Sequence, residues 1–347
     1  MQVAEKHSEG KSQSIGTRVG MALLKKHLFI VCWCVFGSAL IDLPPSTVLN
    51  NPSAGTDFFI PLIGAWDLHS GALHHSPLGV GFYLPYQFIG WLFGYGDWTV
   101  RYTQAMLFIA VSCIAWFMLN LRLGLWLSAV ATAYLSLYAT SPVNVSDSPF
   151  ITYGSLHYDF LPIALGQLAI LCAVFQSPRR ALDLVVVCGL LFWEASIKIN
   201  LAVMDIALVA AAFVLLRRDY LGAGLSVMVG GIMMPQLFNP DFVRASHARL
   251  QNLSGEPVQF LSQNLTWGLA GFWSRFRNLA RDTFWIWSIP AVAIITTLSN
   301  IGKRAVPFAI LLMLVVAVDA MRALSNSVCM TWPFTVLIVL AYLKPEK

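Results

Sequence analysis

Charge is scarce in this chain. Asp, Glu, Lys and Arg make up 11% of its 347 residues, whereas 57% are hydrophobic. A soluble domain carries about 25% charged residues, so the composition points to an integral membrane protein. Cysteine is sparse as well. Cys32, Cys34, Cys113, Cys172, Cys188 and Cys329 lie within or beside apolar runs, and no pair has the spacing of a zinc site. They read as small apolar packing residues. Cys32 and Cys34 also point to different faces of a helix, which argues against a joint site. A Gly-x-Ser-x-Gly nucleophile elbow is absent. The glycines of Gly222–Gly231 fall in an apolar run and suit helix packing better than phosphate cradling.

The charge that is present is patterned. Lys and Arg gather at Arg18/Lys25/Lys26, Arg122, Arg179/Arg180, Arg217/Arg218, Lys303/Arg304 and Lys344/Lys347. Short loops rich in Lys and Arg stay cytoplasmic. A span needs roughly 20 apolar residues, and windows of that length predict an all-α, polytopic transmembrane bundle of about ten spans. The windows are 26–43, 101–121, 124–140, 155–175, 181–197, 200–216, 221–238, 283–300, 305–321 and 327–343. All six basic clusters then share one side, and both termini are cytoplasmic. The net charge of +5 reads as topology and anionic-lipid contact, with no nucleic-acid partner.

The domain plan is a polar cytoplasmic tail at 1–25, one transmembrane domain at 26–343 and a cytoplasmic end at 344–347. His27–Leu43 also has the length of a signal peptide, with Gly37-Ser38-Ala39 as a cleavage candidate. A retained first span is favoured, because its removal would leave the following loop untethered. Two outer segments, 44–100 and 239–282, are too long for mere connectors. In the first, Phe58–Trp66 and Leu78–Phe93 are apolar and aromatic and are interrupted by Pro61, Pro77 and Pro85. Reading Leu78–Phe93 as a full span would invert every later basic cluster, so helices lying in the interface plane fit better. The second segment carries Arg244, Arg249, Arg275, Arg277 and Arg281, a set suited to lipid phosphate or to anionic headgroups in general.

Ionisable residues inside spans are functional candidates by default. Asp42, Glu194, Lys198, Asp205 and Asp319 all fall in the outer halves of their predicted helices, and His157 and Asp159 open the fourth span on that side. Their common depth predicts a polar cavity open to the outside, lined by the fourth, fifth, sixth and ninth spans. Each alone also reads as an interface-level charge in contact with water. Asp183 is the exception, at a cytoplasmic end, where Arg179 and Arg180 are its expected partners.

The first outer loop carries the most specific pattern. Thr56-Asp57-Phe58-Phe59 is followed by Gly71, then Ser76-Pro77-Leu78-Gly79, an aromatic stretch ending in Leu92-Phe93-Gly94, and Arg101. This order resembles membrane glycosyltransferases of the GT-C class, which take sugars from polyprenyl-phosphate donors and carry a catalytic carboxylate in the first outer loop. By position Asp57 matches that carboxylate. Bacterial relatives often have Gly-x-x-Pro-His-x-Asp-Phe before the Pro-Leu-Gly; here Gly71-Ala72-Leu73-His74-His75-Ser76 is contracted and lacks the second Asp. Tyr153-Gly154-Ser155-Leu156-His157-Tyr158-Asp159 loosely matches a Tyr-led helix start of the class, without its Arg. Ala195-Ser196-Ile197-Lys198-Ile199-Asn200 resembles its Lys-centred turn between two spans. The resemblance covers 26 to about 220.

What the resemblance implies is chemically coherent. Sugar transfer needs a base for the acceptor hydroxyl, with Asp57 first and Asp67 second; either could instead cap a helix. The leaving phosphate calls for a cation, and Lys198 leads, assisted by Arg101 or His157; a snorkelling interface lysine is the plainer reading of Lys198. Tyr153, Asp159, Glu194, Asp205, Asp319, His74 and His75 would line the substrate cavity. His69, His74 and His75 invite a metal, but Gly71 and Pro77 interrupt any shared helix face and no third ligand has clear spacing, so no metal or other cofactor is expected. The implied partners are a polyprenyl-phosphate sugar, a glycan or lipid acceptor and membrane lipids, at the bacterial inner membrane. Two alternatives stand: a lipid-linked sugar transporter or flippase, which should show repeats that the sequence lacks, and a membrane acyltransferase using His157 and Asp159.

Overall fold

The computed structural model describes residues 27–39, 62–70, 79–140, 160–234, 295, 306–325 and 332–343. All regular structure among the described residues is helical, so the chain is all-α. The helices are α1 (His27–Ala39), α2 (62–70), α3 (Val80–Phe93), α4 (Asp97–Leu119), α5 (Leu125–Thr140), α6 (Phe160–Val174), α7 (Arg180–Ile197), α8 (Ile199–Ala212), α9 (Tyr220–Met233), α10 (Val306–Ser325) and α11 (Trp332–Leu343). Each falls where an apolar window or an interfacial stretch predicts one. Among the described residues, Trp98–Leu119 is long and apolar enough to cross a membrane by itself; the apolar helices α1, α5, α6 and α9 are shorter.

Helix α6 is the centre. Every residue from Phe160 to Val174 is buried, which suits a helix apolar on all faces. Its Pro162 sits in the first turn, where no helical hydrogen bond is lost. Helices α5, α7 and α8 surround it, α4 packs on α5, and α9 packs on α7 and α8. Gly222 and Gly230 of α9 approach Phe213, Leu184 and Ile206 closely, so these glycines do serve helix packing. Helix α1 lies on α4 and α5: the Trp33 indole donates to Ser136 Oγ at 2.9 Å, the Trp116 indole donates to His27 Nδ1 at 3.2 Å, and Gly37 faces Phe108.

Helix α3 takes up most of the Leu78–Phe93 stretch; its 14 residues span about 21 Å, with Pro85 inside the helix. It ends at Gly94, whose φ of 84° favours glycine. Thr99 Oγ1 ties the elbow by donating to the Gly94 carbonyl and accepting from Gly96 N–H. Helix α4 therefore begins at Asp97, earlier than the predicted 101, and Arg101 lies one turn inside it.

At one end of the bundle the described basic residues Arg122, Arg180 and Arg217 find acidic partners. Arg122 and Arg217 both pair with Asp183, and Arg122 and Asp183 are fully buried. This corrects the expected Asp183 pairing with Arg179 and Arg180: the guanidinium of Arg180 instead grips Asp219, with an Nη2–Oδ1 distance of 2.7 Å. Ser177 donates to Asp183 through its backbone N–H and its hydroxyl. Arg122 donates to the Met118 carbonyl and Arg217 to the Cys172 carbonyl, at the C-terminal ends of α4 and α6. A helix C-terminus carries about half a negative charge. Two such ends and one carboxylate balance two guanidinium groups, and the cluster is a self-neutralised clasp.

Candidate functional site

The opposite end of α7 holds Lys198. Helix α7 stops at Ile197 and α8 starts at Ile199, leaving Lys198 alone between them in an extended conformation, φ −151° and ψ 93°. The expected tight turn is therefore a single residue. Its N–H donates to the Glu194 carbonyl at 2.8 Å, and its own carbonyl accepts from Leu201 and Ala202, both at 3.2 Å. Lys198 is the N-cap of α8, whose first turn carries no acid.

The first loop comes to this same point. Gly79 N–H donates to the Ile197 carbonyl at 2.8 Å, so the N-terminus of α3 sits on the α7–α8 junction. Neither N-terminus has a side-chain cap, and α3 too lacks an acid in its first turn. Carbonyls of the α7 C-terminus are already bonded: Trp193 O by the Ser196 hydroxyl at 2.6 Å, Glu194 O by Lys198 N–H and Ile197 O by Gly79 N–H. Two helix N-termini, the C-terminus of α7 and one lysine therefore share one place, and helix N-termini are where anions bind.

Beneath it lie two acids. Glu194 and Asp205 are both fully buried. A Cβ on Gly166 would collide with the Asp205 carboxylate and would come within 2.9 Å of Glu194 Oε2, so the two carboxylates flank the bare backbone of α6. Their burial corrects the expectation that they line a cavity open to the outside. Gly166 lets α7 and α8 close over them. Both acids stand beside Gly166, one to two turns from Lys198. Gln167, the next residue of α6, is also buried.

Asp67 lies within α2, half-buried and well past its first turn, which removes the helix N-cap reading for that residue. Helix α2 packs on α3, because Gly64 abuts the Tyr83 ring. A chain of contacts, α2 to α3 to Ser196, thus joins the element bearing Asp67 to Lys198. Arg101 is not brought there. Its guanidinium lies 5.0 Å from the Trp98 ring centroid, beside Tyr102, which packs on Phe93 at the far end of α3. Trp66, His69 and Tyr95 cluster with centroids 5.2 to 6.0 Å apart. Asp319 lies on α10. Asp57, His74, His75, Tyr153, His157 and Asp159 lie outside the described residues, as does Asp42. Among the described residues no group of three metal-ligating side chains comes together.

Sequence reasoning missed Gly79, Gly81 and Gly166 as contact residues. The only signal was the Gly79-Val80-Gly81 spacing at a helix start. The chain matches no protein family, curated protein or solved structure in the comparisons made.

Proposed function

We propose that the chain is a polytopic membrane glycosyltransferase, built on about ten spans in a GT-C-like plan. It moves a sugar from a polyprenyl-phosphate donor to an exported glycan, glycolipid or lipo-oligosaccharide at the outer face of the bacterial inner membrane. The observation that carries this reading is the seating of the first loop on the Lys198 junction. A residue with a cationic side chain and two uncapped helix N-termini meet where a lipid phosphate would arrive. The Arg122/Asp183/Arg217 clasp at the other end supports a cytoplasmic assignment for those clusters.

In this mechanism the donor phosphate lies against Lys198 and the N–H groups opening α3 and α8. As the anomeric C–O bond breaks, negative charge grows on the phosphate oxygen, and the fixed positive ends stabilise it. Asp57, or Asp67 in its place, takes the proton of the acceptor hydroxyl as that oxygen bonds to the anomeric carbon. Glu194 and Asp205 stay below the reaction and shape the floor. The second reading, a lipid-linked sugar transporter, draws on that buried acid pair, because carboxylates inside a membrane bundle are typical of coupled transport.

Transfer of radiolabelled sugar from polyprenyl-phosphate donors, measured with the purified chain in proteoliposomes, tests the proposal. Asp57→Asn should abolish transfer and Lys198→Gln should lower it about 10²–10³-fold, while expression and elution stay normal. Retained transfer in Asp57→Asn and Asp67→Asn, with loss in His157→Ala, would move the assignment to the acyltransferase-type pair. Donor translocation without transfer would establish the transporter.

A further inference from the structure

Helix α3 packs on α4 and also on α7; its opening residues meet the end of α7, and the two glycines there are both inside that contact. A Cβ on Gly79 would collide with the backbone carbonyl of Ser196; one on Gly81 would collide with the Ser196 hydroxyl and lie 2.8 Å from its Cβ. Between the glycines' seat and the start of α8 there is one residue, Lys198, and its extended backbone is fixed from both sides. Gly79 N–H holds Ile197 O before it, and Leu201 and Ala202 hold its own carbonyl.

We propose that Gly79 and Gly81 are positioning residues for Lys198: seating α3 on Ser196 sets the path of the one-residue connector and therefore where its ammonium stands. The consequence for substrate rests on the donor-phosphate reading above; the geometry does not. The two glycines differ in a testable way. The chief obstacle to a side chain at 81 is the Ser196 side chain, which can be removed, leaving the Ser196 carbonyl carbon at 3.0 Å. The obstacle at 79 is backbone, which cannot.

The test uses the full chain in nanodiscs, with an amine-acylating reagent and peptide mass spectrometry to follow Lys198 modification, with and without undecaprenyl phosphate. An inserted methyl group displaces a packed contact, so Gly81→Ala should change the Lys198 labelling rate by about fivefold or more and abolish protection by undecaprenyl phosphate. Gly81→Ala/Ser196→Gly should restore both. Gly79→Ala should show the same defect, unrelieved by Ser196→Gly. Wild-type labelling in Gly81→Ala, or failure of Ser196→Gly to rescue a normally eluting double variant, overturns the proposal. Should Gly81→Ala not accumulate, Ser196→Gly alone loosens the seat without a collision and should speed labelling; an unchanged rate overturns the proposal equally. If the labelling ratios hold but undecaprenyl phosphate protects nothing in the native chain, the seating stands and the donor reading falls.

Discussion

Where Arg122 and Arg217 close on Asp183, opposite charges have been gathered until they cancel; where α3 meets Lys198, two helix N-termini and a lysine are gathered on the C-terminal end of α7. Both ends are built from the same helix, since Asp183 opens α7 and Ile197 closes it. At the first end two helix C-termini accept from the guanidinium groups. At the second, two helix N-termini begin without a capping side chain or a first-turn acid. The acids described nearest to the second end, Glu194 and Asp205, are set aside against Gly166, away from solvent. A self-neutralised cluster needs nothing from outside and holds helices together. The second end gathers helix N-termini and a lysine at one junction, and that is the physical ground for placing function there.

The sharpest way to break this contrast is to unbalance the clasp. Asp183→Ala strands two buried guanidinium groups, and removing one partner of a buried pair costs about 3–5 kcal/mol. The expected result is a collapse of the thermal unfolding midpoint in detergent, with loss of folded yield. Replacing Arg122, Asp183 and Arg217 together by apolar residues of similar size should recover most of that stability.

Lys198 should behave in the opposite manner. Lys198→Gln is expected to leave the unfolding midpoint within the range of a surface change while lowering transfer by about 10²–10³-fold, the effect of losing one oxyanion stabiliser. A large fall in stability instead would make Lys198 another structural charge and erase the contrast.

Gly166→Ala tests the floor between the two ends. The added methyl group collides with the Asp205 carboxylate, and overpacking costs about 1–3 kcal/mol. Chemical denaturation should report that loss, and Gly166→Ala/Asp205→Ala should regain part of it.

The smallest effect belongs to Asp219, on the clasp side. It caps α9 by accepting from Gly222 N–H at 3.0 Å, and Asp219→Ala should cost about 1 kcal/mol through the lost cap. The hydrogen bond from Arg180 holds its carboxyl below the ordinary value of 3.8. A depressed carboxyl contributes stability that is complete above that ordinary value and fades as pH falls through the lowered one. Acid titration of the unfolding midpoint should therefore separate wild type from Asp219→Ala at neutral pH and converge below it.

Much of the architecture was legible because apolar windows and basic punctuation are local signals. The helices from α4 to α9 fall on predicted windows, and Lys198 was found as a turn because a charged residue interrupts two apolar runs. Tertiary partners were less legible. Arg179 and Arg180 are close to Asp183 in sequence, yet Arg122 and Arg217 reach it because the ends of α4 and α8 converge on α7. The burial of Glu194 and Asp205 was not readable, since it depends on an absent side chain at Gly166 on another helix. Gly79 entered only as the end of Ser76-Pro77-Leu78-Gly79, and Gly81 was not singled out. Their role is steric and lies across a contact that no local pattern encodes.

Sidedness is the claim on which the account turns, and cysteine labelling in intact cells measures it. In a chain whose native cysteines are replaced by serine, Ser70→Cys on α2 should react with a membrane-impermeant maleimide added outside. Arg218→Cys, beside the clasp, should react only after the cells are opened. The reverse pattern would put the Lys198 end in the cytosol and contradict the proposed chemistry.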